Sequence, residues 1–415
     1  MANILVLSDG YQVPTGFGQQ ATYFSDWMSK KGHKVYHIGM NQHMRQSVSE
    51  TGVTLLPVGD TSFGETVIGK YIEEYKIDIL WTLLDLRMVE FIAQGGIYYN
   101  GRDYPINLNK CIWIGYFPID TEDLPIEKHL KIIEAMHIPV VVSSNSREML
   151  ERAGIYVSEI PHCVDTEIFK PLDENEKKKF ISKQKADLSK LFVVGMVGNN
   201  QLRKFNPYFF EAYSYFMKED TRILPHMVFY KDSALAEAGG WNLIPIMHKI
   251  LKIPPEHVIS SGNIDEFSNK IKITPKQMCY LYNMMSVHYS SGNEGWGIPM
   301  LEAAACGIPN ISPRYTSAEQ MIGPNQERGR FCKISNYWYN QINGHRWVIP
   351  DTKDLAKQFE YYYTHRDELK KAGERAREWA LQYDVKRIMP IWERLIDDAL
   401  NYRENVNYKL GKVGV

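Results

Sequence analysis

The chain has 415 residues and an almost balanced charge, with 48 lysine and arginine residues against 49 aspartate and glutamate residues. That length is too great for one ordinary hydrophobic core, so two α/β domains of roughly 200 residues each are expected. The balanced charge argues against nucleic acid as the main partner, because binding to a phosphate backbone needs a concentrated basic face.

The cysteines and the apolar runs indicate a cytoplasmic protein. The five cysteines include no C-x-x-C pair and lie mostly in apolar runs, which predicts reduced, buried thiols rather than disulfides or a zinc site. No apolar run approaches the roughly 18 residues of a membrane span, and the N-terminus has no cleavable apolar segment. We therefore expect a soluble protein without a transmembrane segment, and peripheral membrane contact remains open.

In the first half of the chain, short apolar strands alternate with helices. Strands are predicted at 3–8, 34–39, 53–58, 77–84, 111–116 and 139–143, and helices at 17–31, 64–75, 126–136 and 146–153. This alternation predicts a parallel, doubly wound sheet, whose ligands bind at the carboxyl ends of the strands.

A glycine-containing turn follows the first strand, in the segment DGYQVPTGFGQQA. It contains a formal G-x-G-x-x-A starting at Gly16, but a dinucleotide fingerprint would follow the strand directly and place an acid after the second strand. Here Gly16 lies well beyond Asp9, and the second strand runs out into Gly39, Met40 and Asn41. NAD binding is therefore disfavoured. The turn is either a simple connection or a flexible loop that closes over a ligand.

Other polar residues fall at predicted strand ends. Asp85 with Arg87, and Asp120 after the run WIGYFPI, are each as suited to capping the next helix as to contacting a ligand. The polar, aromatic segment 98–109 is either a loop that covers a ligand or a surface excursion.

The second half repeats the alternation. Strands are predicted at 190–197, 226–230 and 257–260, and helices at 207–218, 243–251 and 275–284. The segment GNNQLRK, from Gly198 to Lys204, follows the first of these strands, and the adjacent Arg203 and Lys204 can neutralise a diphosphate. A Walker loop is absent, which argues against phosphate hydrolysis of that type.

The most informative stretch is SSGNEGWGIPMLEAAACGIP, residues 290–309. It follows a buried strand that ends at Tyr289, and it enters a helix that Pro299 starts and Gly307 ends. The helix start exposes unpaired N–H groups, and Gly295 and Gly297 have no Cβ to keep a ligand away. We expect a phosphate to bind there.

Two carboxylates flank this turn and lie eight positions apart, Glu294 in the loop and Glu302 in the helix. Carboxylates repel phosphate, so their natural partners are hydroxyl groups. A diphosphate with hydroxyls on both sides describes a nucleotide sugar.

The remainder of the chain is aromatic and then helical. Residues 323–345 are predicted to form a long aromatic insertion of unknown role. Helices are predicted at 351–363 and 366–383, and a further helix continues beyond Pro390.

Three motifs together resemble the retaining GT-B glycosyltransferases of family four, in a divergent form of viral or archaeal type. Glu294 and Glu302 match the E-x7-E motif, and Gly198 and Lys204 match a G-R-x-x-x-x-K region in which Asn replaces the usual Arg and Arg203 is the substitute. The segment IPHCVDTEIFKP, residues 160–171, resembles the interdomain connector I-P-N-G-V-D-x-x-x-F-x-P. His162 departs from that pattern and receives no catalytic role.

The resemblance implies two Rossmann-like, doubly wound α/β domains facing a cleft, with a C-terminal helix that crosses back to the N-terminal domain. The implied boundaries are 1–165 plus about 388–415 for the acceptor-side domain and 166–387 for the nucleotide-sugar domain. The implied activity is transfer of a hexose from a nucleotide sugar, GDP-mannose first and UDP-glucose second, to a glycan or another hydroxyl acceptor. Because no motif supplies the carboxylate pair of a covalent mechanism, front-face substitution is expected. Cationic side chains and the helix end would stand in for a metal, so no metal ion or cofactor is expected.

The resemblance also implies roles for individual residues. Glu294 would hold sugar hydroxyls, Glu302 the ribose, and Gly262, Asn263 and Ile264 the base. The implied catalytic residues are Glu294, Arg203, Lys204 and Asp120. The implied donor-binding residues are Gly16, Gly198, Arg203, Lys204, Gly262, Asn263, Ile264, Glu294, Gly295, Trp296, Gly297, Ile298, Pro299 and Glu302. Two alternatives remain open: a nucleotide-sugar-binding protein without turnover, and, disfavoured by the first turn, an NAD-dependent enzyme.

Overall fold

The computed structural model describes residues 1–40, 45–173, 175–176, 191–219, 226–231, 240–260, 273–340 and 344–412. The chain divides into two compact units. The first comprises Met1–Ile119, Leu124–Cys163 and Val385–Val415, and the second comprises Asp120–Asp123 and Val164–Asp384.

The first unit is built on an eight-stranded sheet in the order β10-β9-β8-β5-β1-β2-β4-β3. Its pairs are parallel except for the β3–β4 pair. A separate antiparallel hairpin is formed by β6 and β7. The strands are β1 (Asn3–Asp9), β2 (Lys34–Met40), β3 (Ser47–Val48), β4 (Thr54–Leu56), β5 (Ile79–Leu83), β6 (Gly96–Tyr99), β7 (Arg102–Pro105), β8 (Ile112–Phe117), β9 (Ile138–Val141) and β10 (Ser158–Glu159). The helices are α1 (Gly16–Lys30), α2 (Ile68–Glu74), α3 (Glu90–Ala93), α4 (Glu127–Ala135) and α5 (Ser144–Arg152).

The second unit is built on a six-stranded parallel sheet in the order β13-β12-β11-β14-β15-β16. An antiparallel hairpin of β17 and β18 accompanies it. The strands are β11 (Phe192–Val197), β12 (His226–Lys231), β13 (Val258–Ser260), β14 (Val287–Tyr289), β15 (Asn310–Pro313), β16 (Gly329–Cys332), β17 (Ile334–Tyr339) and β18 (Arg346–Pro350). Its helices include α6 (Asn206–Glu219), α7 (Pro275–Met284), α8 (Ile298–Ala305), α9 (Ala318–Ile322), α10 (Thr352–Thr364) and α11 (Arg366–Ala380). A further helix, α12 (Val385–Lys412), follows them in the chain.

Helix α12 belongs to the first unit although it ends the chain. Its Trp392 packs edge-on against Trp81 of β5 at 5.6 Å and Tyr116 of β8 at 4.8 Å between ring centroids. Phe24 of α1 stacks on Trp81 at 4.2 Å and completes the cluster. Large buried aromatic rings supply much apolar contact area, so this cluster ties the last helix to the first sheet.

Most predicted elements are confirmed. The helix expected between Pro299 and Gly307 is α8, and Gly307 adopts a φ of +75° beyond its end. The helix expected beyond Pro390 is α12, which contains this proline.

Two segments differ from expectation. Segment 98–109, expected to be a loop, contributes to the β6–β7 hairpin, and segment 323–345, expected to be an insertion, contains β16 of the main sheet as well as β17. Both were missed because their strands are short and do not alternate cleanly between apolar and polar residues.

The connecting segment is held by buried polar contacts. Nδ1 of His162 lies 2.7 Å from the hydroxyl of Tyr116, and burial lowers the pKa of this imidazole to about 3. The side-chain amide of Gln20 donates to the carbonyl of Cys163 and accepts from its N–H. Phe169 is fully buried. Asp165 accepts hydrogen bonds from the N–H groups of Glu167 and Ile168. These contacts are structural.

All five cysteines are free, buried thiols, as the sequence predicts. Among the residues that the structure describes, no helix combines the length and apolar character needed to cross a bilayer.

Candidate functional site

The glycine loop between β14 and α8 forms the centre of the candidate site. Gly297 is the N-cap of α8 with a φ of +94°, a left-handed conformation that favours glycine, and this N-cap residue has no side chain to cap the helix. Ile298 and Pro299 form the first turn. The first N–H groups of the helix and the positive end of its dipole are therefore available to an anion.

A pair of cations lies against this loop. Arg203 and Lys204 occupy a 3₁₀ turn, Leu202–Lys204, which residues 198–201 connect to the end of β11, and the left-handed Phe205 ends that turn. Nζ of Lys204 contacts Oε1 of Glu294, and Nη1 of Arg203 lies 3.4 Å from Oε2 of the same carboxylate. The Lys204 and Glu294 side chains are only 12% and 16% exposed, so this ion pair is much less screened than a surface pair.

Asp120 joins the same cluster. Its Oδ2 lies 3.6 Å from Nε of Arg203. Two cations therefore lie against two carboxylates in this cluster. Burial lowers the pKa of Lys204 well below its ordinary value and Arg203 lowers it further, whereas Asp120 raises it. An anionic ligand would favour the charged form of this lysine.

Asn293 connects the loop to its neighbours and is fully buried. Its side-chain amide donates to the carbonyls of Arg203 and Val348, each at 3.0 Å, and its Oδ1 accepts from the N–H of Val348 at 2.8 Å. The guanidinium of Arg203 donates in return to the carbonyl of Asn293. This one residue therefore fixes the loop, the cation pair and strand β18 together, because all of its side-chain hydrogen-bonding groups are used in the interior.

The segment Asp120–Asp123 packs within the second unit, although the sequence places it after β8 of the first. Nε of Arg346 donates to Asp123 at 2.9 Å, and the Thr121 hydroxyl donates to the carbonyl of Arg346 at 3.1 Å. Tyr315 also donates to this carbonyl, at 2.7 Å. Asp120 therefore lies with the residues of the second unit, although the implied bounds of the acceptor-side domain, 1–165, include it.

Two hydroxyl side chains lie on the glycine loop. The Thr316 hydroxyl is 2.6 Å from the carbonyl oxygen of Gly292 and 2.8 Å from that of Glu294. The Ser317 hydroxyl is 2.6 Å from the carbonyl oxygen of Trp296. Sequence analysis missed both residues, because Thr and Ser are common in surface turns and only their tertiary contacts distinguish these two.

Glu302 lies inside α8 and is buried, with Oε2 accepting a hydrogen bond from the Tyr282 hydroxyl at 2.7 Å. Tyr282 is on α7, so the two helices are joined at this point. The predicted ribose contact of Glu302 therefore has to be made by a carboxylate already oriented by a buried tyrosine.

A buried histidine lies beneath the site. Nδ1 of His288 is 2.8 Å from Oδ1 of Asn310, and its other ring nitrogen is 3.4 Å from the backbone nitrogen of Val197. Burial lowers the pKa of His288 to about 4, so the ring is neutral at physiological pH. His288 joins the ends of β11 and β14, which carry the cation pair and the glycine loop.

The other predicted site residues are placed as follows. Gly198 directly follows β11, and a Cβ built there would lie 4.0 Å from Cε of Lys204. Trp296 is 2% exposed and its ring packs 5.3 Å from that of Tyr383, which leaves its backbone as the part that can reach a ligand. Gly295 lies in the same loop, Gly16 begins α1 in the first unit, and Gly262, Asn263 and Ile264 lie outside the described residues.

Comparison of the sequence with protein-family models found no match, and comparison with curated proteins also found none. Comparison with solved structures found many. Sucrose-phosphate synthase from Thermosynechococcus elongatus matches with a TM-score of 0.74 and 13% identity, over 97% of this chain and 100% of that one.

Two further solved structures also match over nearly the whole length of both chains. Anabaena HepE in complex with UDP and glucose has a TM-score of 0.66 and 12% identity, over 96% of this chain and 100% of that one. The trehalose 6-phosphate synthase of Burkholderia multivorans has a TM-score of 0.66 and 10% identity, over 98% and 100%. These likenesses confirm the predicted fold class: the chain has the α/β GT-B fold, with two Rossmann-like domains.

Proposed function

We propose that this protein is a retaining glycosyltransferase of family four, which moves a hexose from a nucleotide sugar to a hydroxyl acceptor. The observation that carries the proposal is the contact of one loop carboxylate, Glu294, with both Lys204 and Arg203 at the uncapped start of α8. This arrangement places cations, helix amides and a hydroxyl-binding carboxylate within one small region, as a sugar diphosphate requires.

Glu294 balances the charge of the cation pair, and this contact supports a proposal for how the donor binds. A diphosphate brings negative charge to Arg203 and Lys204, so it competes with Glu294 for them. Glu294 is then released to accept hydrogen bonds from hydroxyl groups of the sugar. Exchange of one anion for another avoids leaving two partly buried cations unpaired at any stage, a state that would be costly.

The same groups suit the chemical step. In front-face substitution the bond between the anomeric carbon and the diphosphate oxygen breaks, and the acceptor oxygen forms a new bond on the same face. The acceptor proton passes to the departing diphosphate. Arg203, Lys204 and the N–H groups of Gly297 and Ile298 stabilise the negative charge that develops there, and each such contact is worth on the order of 10² to 10³ in rate.

This mechanism requires no metal ion, because two cationic side chains and a helix end supply the positive charge. The donors to test first are GDP-mannose and UDP-glucose. The resemblance in sequence to family four supports the former. The latter is supported by the HepE structures, whose complexes contain UDP and UDP-glucose.

Calorimetric titration with UDP and GDP, followed by turnover assays with both sugar nucleotides, tests the proposal. We expect binding of one nucleoside diphosphate and its release from the matching sugar nucleotide when an acceptor is present, with equal rates in EDTA and in Mg²⁺. Binding without turnover on a broad panel of glycan acceptors would favour the binding-protein alternative. A rate that rises only with Mg²⁺ would contradict the metal-free mechanism.

A further inference from the structure

We infer that Thr316 and Ser317 are positioning residues that orient the backbone N–H groups of the glycine loop toward the donor diphosphate. The inference rests on the proposed function, and it adds two residues that contact the loop rather than the donor. Both lie in the turn before α9, more than ten residues after the end of α8.

The two hydroxyls engage alternate carbonyls of the loop. Thr316 lies within hydrogen-bond distance of the carbonyl oxygens of Gly292 and Glu294, and Ser317 within that of Trp296. Ser317 also approaches the Glu294 carbonyl, at 3.3 Å. Three carbonyls, each two residues from the next, therefore point toward one short segment.

The direction of these carbonyls determines the direction of the N–H groups in the same peptide bonds. A trans peptide is planar, and the N–H of each residue points opposite to the carbonyl of the residue before it. Because the carbonyls of Glu294 and Trp296 point toward the two hydroxyls, the N–H groups of Gly295 and Gly297 point away from them. Within the described chain, neither of these N–H groups donates to another protein group.

The Asn293 carbonyl, which lies between those of Gly292 and Glu294 in the sequence, has a different hydrogen-bond donor. Asn293 accepts from the guanidinium of Arg203 rather than from Thr316. Neighbouring carbonyls of the loop therefore bind different donors. The Glu294 carbonyl accepts from a hydroxyl group, whereas the Asn293 carbonyl accepts from the Arg203 guanidinium. We infer that the Gly295 and Gly297 N–H groups face the anion that Arg203 and Lys204 bind.

The anchoring segment is itself held in an unusual conformation. Thr316 has a φ of +49°, which is uncommon for a β-branched residue, and its N–H donates to Glu122 at 3.2 Å. The neighbouring Tyr315 hydroxyl accepts from the N–H of Glu122. A strained conformation persists only where surrounding contacts support it, and here the result is that two adjacent hydroxyls face one loop.

The test uses isosteric removal and conservative rescue. Thr316→Val keeps the shape but loses the hydroxyl, and Ser317→Ala does the same at the next position, whereas Thr316→Ser retains it. Affinity is measured by calorimetric titration with UDP and GDP and, in parallel, with uridine and guanosine, which lack phosphate. Thermal unfolding of each variant gives the fold control.

For each hydroxyl-deleting variant we expect about tenfold weaker binding of the nucleoside diphosphate and a further loss in kcat, with binding of the nucleoside unchanged. Thr316→Ser should bind as the wild type does. Wild-type affinity and kcat in both Thr316→Val and Ser317→Ala would overturn this inference alone. Failure of the wild-type protein to bind either UDP or GDP would overturn the proposed function, and this inference with it.

Discussion

The two glycine-containing turns of this molecule look alike in sequence and differ in structure. Each joins a strand to a helix, after β1 in the first unit and after β14 in the second. In the first turn Thr15 caps α1 by accepting from the N–H of Gly18 at 3.0 Å, and it donates to Asp9 at 2.5 Å. In the second turn Gly297 provides no side-chain cap.

The two turns differ in which side chains form hydrogen bonds with their backbone N–H and carbonyl groups. In the first turn a residue of the turn itself occupies the helix end, and a Cβ on Gly18 would lie 2.5 Å from the carbonyl oxygen of Val13, so this glycine serves close packing. In the second turn the carbonyls are bound from outside by Thr316 and Ser317, and the helix end is left open beside two cations. A glycine-containing turn leaves room for an anion at the helix end only where its own side chains do not fill that end.

The largest expected effect comes from Glu294→Ala in the second turn. Loss of the hydroxyl-binding carboxylate should lower kcat on the order of 10² to 10³, while affinity for the nucleoside diphosphate is kept or increased because a competing anion is gone. Turnover assays and calorimetric titration measure the two effects separately. Glu294→Gln is the matched control for side-chain shape, and wild-type turnover in the alanine variant would end the proposed role.

A smaller loss, in binding, is expected for Lys204→Ala. Removal of one charge-assisted contact should weaken nucleoside diphosphate binding by about 10- to 100-fold, with little change for the free nucleoside. The exposed Lys276 on α7 offers a matched control, since Lys276→Ala removes the same charge away from the site. Equal affinities in the two variants would show that Lys204 does not bind the diphosphate.

A substitution in the first turn should change the stability of the protein rather than its ligand binding. Thr15→Ala removes the cap of α1 and should lower the free energy of unfolding by about 0.5–2 kcal/mol, measured by urea denaturation. Nucleoside diphosphate affinity should be unchanged, and Thr15→Ser should restore the stability. Weaker binding of the nucleoside diphosphate by Thr15→Ala would show that the first turn also affects ligand binding. It would then support a ligand contact for the neighbouring Gly16.

The smallest effect concerns pH. Burial raises the pKa of Asp9 above its ordinary value of 3.8, an effect that the hydrogen bond from Thr15 opposes. The folded protein therefore holds this proton more tightly than the unfolded chain, and Asp9 lowers stability as the pH rises from about 4 through its folded pKa. Replacement by Asn removes this contribution.

The free energy of unfolding of Asp9→Asn, relative to that of the wild type, should accordingly increase between pH 4 and pH 7, which means that the variant becomes relatively more stable. Urea denaturation across this range measures it. A relative stability that stays constant or falls would show that the carboxylate is not penalised in the folded first turn.

Much of the fold and part of the site were predictable from local patterns. The alternation of apolar strands and helices predicted both parallel sheets, and Pro299 and Gly307 marked the two ends of α8 because their backbone constraints act within one or two residues. Arg203, Lys204 and Glu294 were also found from sequence, since charged residues beside a glycine-rich strand end suit a phosphate ligand. The short strands β6, β7 and β16 were not, because their pairing depends on distant partners.

The sequence by itself determined which residue types stand at the strand ends and where the helices begin, because these depend on near neighbours along the chain. Only the tertiary structure decided that Asp120 meets Arg203, that Tyr282 holds Glu302, and that two hydroxyls beyond α8 orient the glycine loop. These contacts join residues separated by about 20 to more than 80 positions. Their existence depends on how whole elements pack, which no local pattern of residues specifies.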